Sequence, residues 1–196
     1  MRVIAGSARS LRLITPKGEN TRPTLDRIKE TLFNILRDEV PGSVFLDLFA
    51  GSGGIGIEAL SRGARHAYFF ERDREALACI RKNLEHTGLS DRATVLPGDL
   101  FSSLNAVRDQ KADLIYIDPP YEGGYEGRLF ELFRNAPFVS ENTLIILEAD
   151  LGKDFDFEGF SLEREKRYKT NKHLFYRLTA GKGRLSNEKS DLSGIL

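Results

Sequence analysis

The segment SVFLDLFAGSGGIGIEALSR, residues 43–62, decides the fold. It begins with an apolar run that is typical of a buried strand and ends in a stretch with helical spacing. Between them, Gly51, Gly53 and Gly56 satisfy the pattern G-x-G-x-x-G, in which the backbone turns tightly and approaches a ligand closely. Glu71 stands twenty positions after Gly51, where dinucleotide-binding folds carry a ribose-binding acid. Strand, loop, helix and acid together indicate nucleotide binding.

Strands and helices alternate through the middle of the chain. Apolar runs predict five strands, at 43–49, 66–71, 93–97, 112–118 and 142–149. Helical patterns follow these strands at 54–62, 73–87, 100–108 and 125–135. This order predicts an α/β fold whose mostly parallel sheet is covered on both faces.

The two ends of the chain have a different pattern. Residues 160–180 predict an antiparallel hairpin, because two strand-like runs follow each other without a helix between them. At the other end, the short runs RVIAG and LRLIT predict a small hairpin. A helix is expected next, within residues 22–40, with Thr24 as its cap.

Charge is balanced overall but unevenly distributed. The 29 basic and 29 acidic residues argue against a uniformly basic nucleic-acid binder. Residues 1–29, however, hold seven basic against two acidic side chains, and residues 161–184 hold eight against two. The two basic ends could form one phosphate-binding surface or two solvated faces. The single cysteine, Cys79, excludes a disulfide framework within the monomer and favours a reducing compartment.

Four acidic residues end four consecutive predicted strands: Asp47, Glu71, Asp99 and Asp118. Ligands of open α/β sheets bind outside the carboxyl ends of the strands, so these acids are candidates for ligand binding. A carboxylate at Asp47 would repel the pyrophosphate of NAD, whereas it suits a cofactor with a sulfonium and an α-amino group, such as S-adenosylmethionine. An NAD-dependent oxidoreductase is therefore disfavoured. Two alternatives stay open, since Asp99 could only cap a helix at 100 and Glu71 could only cap one at 73.

These motifs resemble those of the class I S-adenosylmethionine-dependent methyltransferases. DLFAGSG (47–53) resembles their first cofactor motif, FFERD (69–73) their ribose-binding step, and GDLF (98–101) their adenine-contacting step. The motif DPPY (118–121) is similar to the signature of methyltransferases that act on amino groups. The resemblance implies cofactor-binding roles for Asp47, Phe49, Gly51, Ser52, Gly53, Glu71, Arg72, Asp99 and Leu100. It implies that Asp118 and the Pro119 carbonyl accept hydrogen bonds from the amine, while Tyr121 stacks on the base.

A closer resemblance covers residues 1–180. RVIAG, RPTLDRIKETLFNIL, LDLFAGSGGIGIEALSRGA and IYIDPPY together resemble the RsmD family, which methylates guanine N2 in 16S small-subunit ribosomal RNA. The resemblance implies an N-terminal extension over 1–40 and a Rossmann-like methyltransferase domain over 41–182. The polar composition of the last residues predicts a flexible tail over 183–196. RNA contacts are expected at Arg2, Arg9, Arg22 and Thr24, although the residues around 22–24 could equally form only a helix start.

The expected partner is small-subunit ribosomal RNA or the assembling 30S subunit. We expect a cytoplasmic protein without a membrane segment and, by preference, a monomer. No metal is expected, because the three histidines have no ligand spacing. Two further alternatives are an adenine-N6 methyltransferase, since DPPY serves both amines, and an RNA-binding module without catalytic activity.

Overall fold

A seven-stranded sheet forms the centre of the molecule. The computed structural model describes residues 1–16, 23–120 and 123–179. The strands lie in the order β3-β2-β1-β4-β5-β7-β6. Their bounds are β1 Val44–Asp47, β2 His66–Glu71, β3 Ala93–Pro97, β4 Leu114–Ile117, β5 Leu144–Asp150, β6 Phe160–Arg167 and β7 Asn171–Leu178. β1 to β5 pair in parallel, whereas β7 is antiparallel to β5 and β6 is antiparallel to β7. The predicted α/β fold with a terminal antiparallel hairpin is confirmed.

Five α-helices accompany the strands in the described part of the chain. They are α1 Pro23–Ile35, α2 Gly54–Ser61, α3 Arg74–Thr87, α4 Leu100–Ser103 and α5 Tyr125–Phe133, with short 3₁₀ helices at Ser90–Arg92 and Leu104–Val107. None of the helices in this part of the chain is long and apolar enough to span a membrane.

Alternating side chains of the parallel strands enter two separate hydrophobic cores. In β1, Phe45 packs with α1, α2 and α3 on one face of the sheet. Its neighbours Val44 and Leu46 pack with α4 and α5 on the other face. This alternation follows from the two-residue period of a strand and explains why the central parallel strands β1 and β4 are apolar almost throughout.

Two predicted elements differ from the structure in length. The helix expected at 100–108 is a four-residue α-helix followed by a 3₁₀ helix. Its sequence contains Ser102, Ser103 and Asn105, and the Asn105 side chain donates to the carbonyl of Ser102 at 3.3 Å. Such side chains compete with the helix for backbone groups, which accounts for the early end of α4. α1 likewise ends at Ile35 rather than near residue 40. It begins at Pro23, so the prediction of Thr24 as its cap is wrong, because Thr24 lies inside the helix.

The N-terminal hairpin is reduced to one antiparallel bridge between Arg2 and Arg12. Several amides of residues 4–8 bind α2 instead of a partner strand. The amides of Ile4 and Ala5 donate to the Glu58 carboxylate at 2.8 and 3.0 Å, and that of Ala8 donates to the Ser61 hydroxyl at 3.0 Å. The N-terminal segment therefore packs against α2. The predicted boundary of the extension at residue 40 stays a prediction.

Glu58 is the acceptor on which this packing depends. Its side chain is fully buried and also binds Lys29 Nζ at 3.3 Å and Arg62 Nε at 2.7 Å. Lys29 is itself 3% exposed, and burial lowers the pKa of its ammonium despite the neighbouring Glu58. Removing the acidic partner of a buried cation is costly, because the buried charge is then left unpaired.

We expect Glu58→Ala to lower the free energy of unfolding by about 3–5 kcal/mol, because it removes the carboxylate that pairs with the buried Lys29 and leaves two backbone amides without their acceptor. Urea denaturation measures this change. Glu30→Ala, an exposed position on α1, is the matched control and should change stability by less than about 0.5 kcal/mol. Equal losses in the two variants would contradict the role given to Glu58.

Candidate active site

A cavity of about 200 Å³ lies over the carboxyl ends of β1 and β4. β1 is flanked by β2 on one side and by β4 on the other, so the strand order reverses at this point. Open α/β sheets bind their ligands at such a reversal. The lining includes the glycine loop and residues from both ends of the chain: Met1, Lys29, Asp47, Phe49, Gly51, Ser52, Asp118, Glu148 and His173.

The glycine loop lies against the cavity because two of its positions require glycine. Gly53 precedes α2 with a φ of +81°, a conformation that other residues rarely adopt. At Gly56, an added Cβ would lie 2.3 Å from the ring of Phe69 in β2. Glycine at this position lets α2 pack closely on the sheet, which directs the N-terminus of the helix at the cavity.

Asp47 is the last residue of β1 and lies under the loop. Its side chain is 1% exposed, and it accepts a hydrogen bond from the amide of Gly56 at 3.0 Å. Burial raises the pKa of this carboxyl to about 7, with a further rise from Glu71 and an opposing effect of the Gly56 hydrogen bond. A buried carboxyl at the wall of a cavity favours a cationic ligand, which would compensate for its lost hydration.

Glu71 ends β2 and binds the glycine loop directly. Its carboxylate accepts hydrogen bonds from the amides of Gly51 at 2.8 Å, Arg72 at 2.7 Å and Asp73 at 2.8 Å. The cap of α3 is not Glu71 but Asp73, which accepts from Ala76 at 2.9 Å. The alternative that Glu71 only caps this helix is therefore wrong.

In the structure, Asp99 caps α4, as the capping alternative predicts. Its exposed carboxylate accepts from the amide and hydroxyl of Ser102 at 3.0 and 3.1 Å, at the start of α4. These hydrogen bonds lower the pKa of Asp99. Leu100, the next residue, is buried under the helix, whereas Arg72 is exposed near the end of β2. A contact between Asp99 and an adenine stays a prediction.

The DPPY motif follows β4 directly. Asp118 is exposed and lines the same cavity as Asp47, and it also lines a second cleft together with Pro119. Tyr121, the proposed stacking residue, lies outside the described residues. The motif thus presents a carboxylate to the space that the glycine loop borders.

Comparison with known proteins identifies the family of this chain. The family model described as "Conserved hypothetical protein 95" matches residues 1–177. A Bacillus subtilis protein named as a candidate rRNA methyltransferase is 39% identical over 76% of this chain and 83% of its own length. "Ribosomal RNA small subunit methyltransferase D" of Escherichia coli is 34% identical over 85% of this chain and 84% of its own. The chain belongs to the RsmD family.

A solved structure from Escherichia coli, described as a candidate methyltransferase, shares the fold of this RsmD-family chain. Its TM-score is 0.79 at 32% identity, and the match covers 92% of this chain and 99% of the other. The resemblance noted in the sequence is thereby confirmed at the level of family and fold.

The sequence did not predict an acidic network at the end of β5 in this RsmD-family protein. Glu148 accepts hydrogen bonds from Tyr116 Oη at 2.5 Å and from Asn171, and it pairs with His173 Nε2 at 3.2 Å. His173 is fully buried, and its Nδ1 contacts Tyr168 Oη at 3.0 Å. A signal was available, since Glu148 is a fifth acid near the carboxyl end of a parallel strand.

An aromatic group was also missed. Phe49 of the cavity wall meets Tyr125 edge-on at 5.1 Å between ring centroids, and Tyr125 stacks on Phe101 at 6.2 Å. The Arg128 guanidinium lies over Phe101 at 4.1 Å. No sequence pattern distinguished these rings from core residues, because they come together only when α4 and α5 pack on the same face.

Part of the two basic segments, residues 1–29 and 161–184, lies at the edge of the sheet that carries Asp118. β7 begins beside the end of β5, since Asn171 pairs with Asp150, so the β6–β7 turn at 168–170 lies at the edge that carries Asp118. Arg9 and Arg2 are both exposed, and Arg2 also pairs with Asp26 at 3.6 Å. Arg22 and the side chain of Thr24 lie outside the described residues. Lys172 is fully buried and binds Asp154 at 2.8 Å, which excludes it from a surface role.

The described residues contain no group of three or more histidines, cysteines or acids arranged to hold a metal ion. The acidic and basic side chains that line the cavity include Lys29, Asp47, Asp118, Glu148 and His173.

The raised pKa of Asp47 predicts a pH dependence of stability. The folded pKa of about 7 exceeds the ordinary 3.8, so the folded state retains a proton that the unfolded state loses. The contribution of Asp47 is therefore complete below pH 3.8, declines by roughly 1 kcal/mol per pH unit up to about pH 7, and is constant above it.

Urea denaturation of the wild type and Asp47→Asn between pH 4 and 9 measures this slope as a difference between the two proteins. Asp38→Asn, at a side chain that is 91% exposed, is the control and should follow the wild-type curve. Parallel curves for wild type and Asp47→Asn would show that Asp47 titrates normally.

Proposed function

We propose that this protein transfers a methyl group from S-adenosylmethionine to the exocyclic N2 amine of a guanine in 16S small-subunit ribosomal RNA. The observation that carries the proposal is the shared cavity, since Asp47 and the glycine loop border it from one side and Asp118 from the other. A cationic cofactor and a polar amine can therefore meet in one enclosed space. Membership of the RsmD family supports the same substrate class.

The residues of the first two strands suit this cofactor. When bound, it supplies a methyl group carried on a positively charged sulfur. Asp47 provides a compensating negative charge, and the backbone of Gly51, Ser52 and Gly53 gives close access beside Phe49. Glu71 would bind the ribose hydroxyls, with Arg72 next to it. Asp99 and Leu100 would meet the adenine at the start of α4, with Asp99 keeping its cap.

The DPPY motif suits the amine. A base amine is a weak nucleophile because its lone pair is delocalised into the ring. Two acceptors, the Asp118 carboxylate and the Pro119 carbonyl, would favour its pyramidal form and stabilise the positive charge that develops on nitrogen. Proline has no amide donor and has a fixed φ, so the carbonyl direction is restricted. Tyr121 would stack on the base, which is worth roughly 1–3 kcal/mol in comparable settings.

The RNA would approach along the edge of the sheet that carries Asp118. Arg2, Arg9, Arg22 and Thr24 at the N-terminus and the basic β6–β7 hairpin are the proposed contacts. The chain has no net charge, so shape must contribute to selecting one nucleotide. We therefore infer that an assembled or partly assembled 30S subunit is the substrate. We further propose that the enzyme acts in the cytoplasm and as a monomer.

We expect the purified protein to transfer radiolabelled methyl from S-adenosylmethionine to N2 of guanine in unmethylated 30S subunits. Asp118→Ala should lower single-turnover transfer by about 100-fold or more, because it removes an acceptor used in the transition state. Its thermal stabilisation by S-adenosylhomocysteine should equal that of the wild type.

Asp109→Ala is the matched control, since Asp109 is an exposed acid that precedes β4 and is not part of the cavity lining. It should leave transfer near the wild-type rate once its fold is verified. Label in adenine would transfer the assignment to an adenine-N6 enzyme. Stabilisation by NAD equal to that by S-adenosylmethionine would contradict the cofactor assignment.

A further inference from the structure

A shallow cleft lies beside Asp118 and Pro119, on the side of β5 and β7. Its volume is about 20 Å³, which is room for one water-sized group rather than for a whole ring. Glu148, Asn171, Asp150 and Glu126 complete its polar wall. A base whose amine reaches Asp118 would therefore present only its edge to this cleft.

Glu148 is held in place as a charged acceptor. Burial favours the neutral form, yet the hydrogen bond and charge of His173, with the hydrogen bonds from Tyr116 and Asn171, lower its pKa below the ordinary value. Its side chain is 21% exposed, and it lines both the cavity and the cleft. A carboxylate has about four lone-pair sites, so the three donors leave capacity for one more.

Asn171 adds a second acceptor. Its Nδ2 donates to Glu148 Oε1, which fixes the orientation of the amide because the reverse orientation would bring two acceptors together. The other atom, Asn171 Oδ1, is buried, and no described residue donates to it. Buried polar atoms without partners are rare, so this atom points to a donor beyond the described residues.

The other charged groups around Glu148 leave the wall of the cleft rich in hydrogen-bond acceptors. Lys153 is directed to Asp150, with Nζ 3.7 Å from the carboxylate. Glu126 on α5 is a further acceptor of the cleft. Lys29 and Asp47 face the cavity from α1 and β1, and Lys29 is engaged by Glu58. The wall beside Asp118 thus offers acceptors.

We propose that Glu148 and Asn171 read the Watson–Crick edge of the target base and thereby select guanine over adenine. This inference rests on the proposed function. Guanine presents two adjacent donor groups on that edge, N1–H and the N2 amine. In adenine, N1 is an unprotonated acceptor next to the N6 amine, and its lone pair would face the lone pairs of Glu148 and Asn171. Asp118 and Pro119 bind the amine of either base, so discrimination falls to this second pair.

2-Aminopurine separates recognition of N1 from methylation of the amine. It carries the same 2-amine as guanine, but its N1 has no hydrogen. The test uses 30S subunits reconstituted with guanine or 2-aminopurine at the methylated nucleotide and measures single-turnover transfer to each. We expect the wild type to prefer guanine by about ten- to a hundred-fold. Glu148→Gln should reduce that preference at least tenfold, because a glutamine amide can donate to the unprotonated N1.

Both rates are measured with the same variant. A partial loss of folded enzyme therefore lowers both rates equally and leaves their ratio unchanged. Asn171→Ala should also lower the ratio, since it removes the Oδ1 acceptor. Asp150→Asn is the matched control, because it neutralises a carboxylate of the same cleft that pairs with Lys153, and it should leave the ratio near the wild-type value.

An unchanged ratio in Glu148→Gln, or equal transfer to both bases by the wild type, would overturn the inference and leave the proposed function intact. Methylation of adenine instead of guanine by the wild type would overturn the proposed function itself.

Discussion

The buried carboxyl of Asp47 is the constraint on which the site depends. It ends β1 below the surface of the sheet and accepts the amide of Gly56, which joins the strand to the first turn of α2. Between these two residues the chain must form the glycine loop, and Glu71 holds that loop from β2 through the amide of Gly51. The loop therefore owes its position to two carboxylates. A carboxyl this buried is costly to ionise, because it lacks the water that would stabilise its negative charge. A cationic ligand in the adjacent cavity would stabilise that charge instead.

The opposite wall of the cavity also contains a carboxylate that hydrogen-bond donors hold in place. Glu148 is fixed near the end of β5 by donors from two neighbouring strands, Tyr116 of β4 and His173 and Asn171 of β7. The antiparallel hairpin has a structural consequence here, because only an antiparallel β7 begins beside the end of β5. A parallel strand would bring its far end to this point. The C-terminal hairpin thus completes the acidic edge and places its turn on the side from which RNA would approach.

Much of this could be predicted from the sequence, since the apolar runs and the acids that follow them have short-range signals. The sequence predicts four strand-end acids, because each follows an apolar run that is itself recognisable. Glu148 was not identified, because its partners lie 23 to 32 positions away and meet it only through strand pairing. The N-terminal hairpin was overestimated for a related reason. Glu58 and Ser61 take the backbone donors of residues 4–8, and no local pattern shows that α2 competes for them.

The central claim is that one strand-end carboxylate binds the cofactor charge and another binds a guanine amine of small-subunit RNA. Mass spectrometry of nucleosides from 16S RNA tests it most directly, in a strain that lacks the gene and in the same strain complemented with wild type, Asp47→Ala or Asp118→Ala. The account predicts that one N2-methylguanosine is lost on deletion, returns with the wild type and does not return with either variant. An unchanged N2-methylguanosine content on deletion, or its full return with Asp118→Ala, would contradict the account.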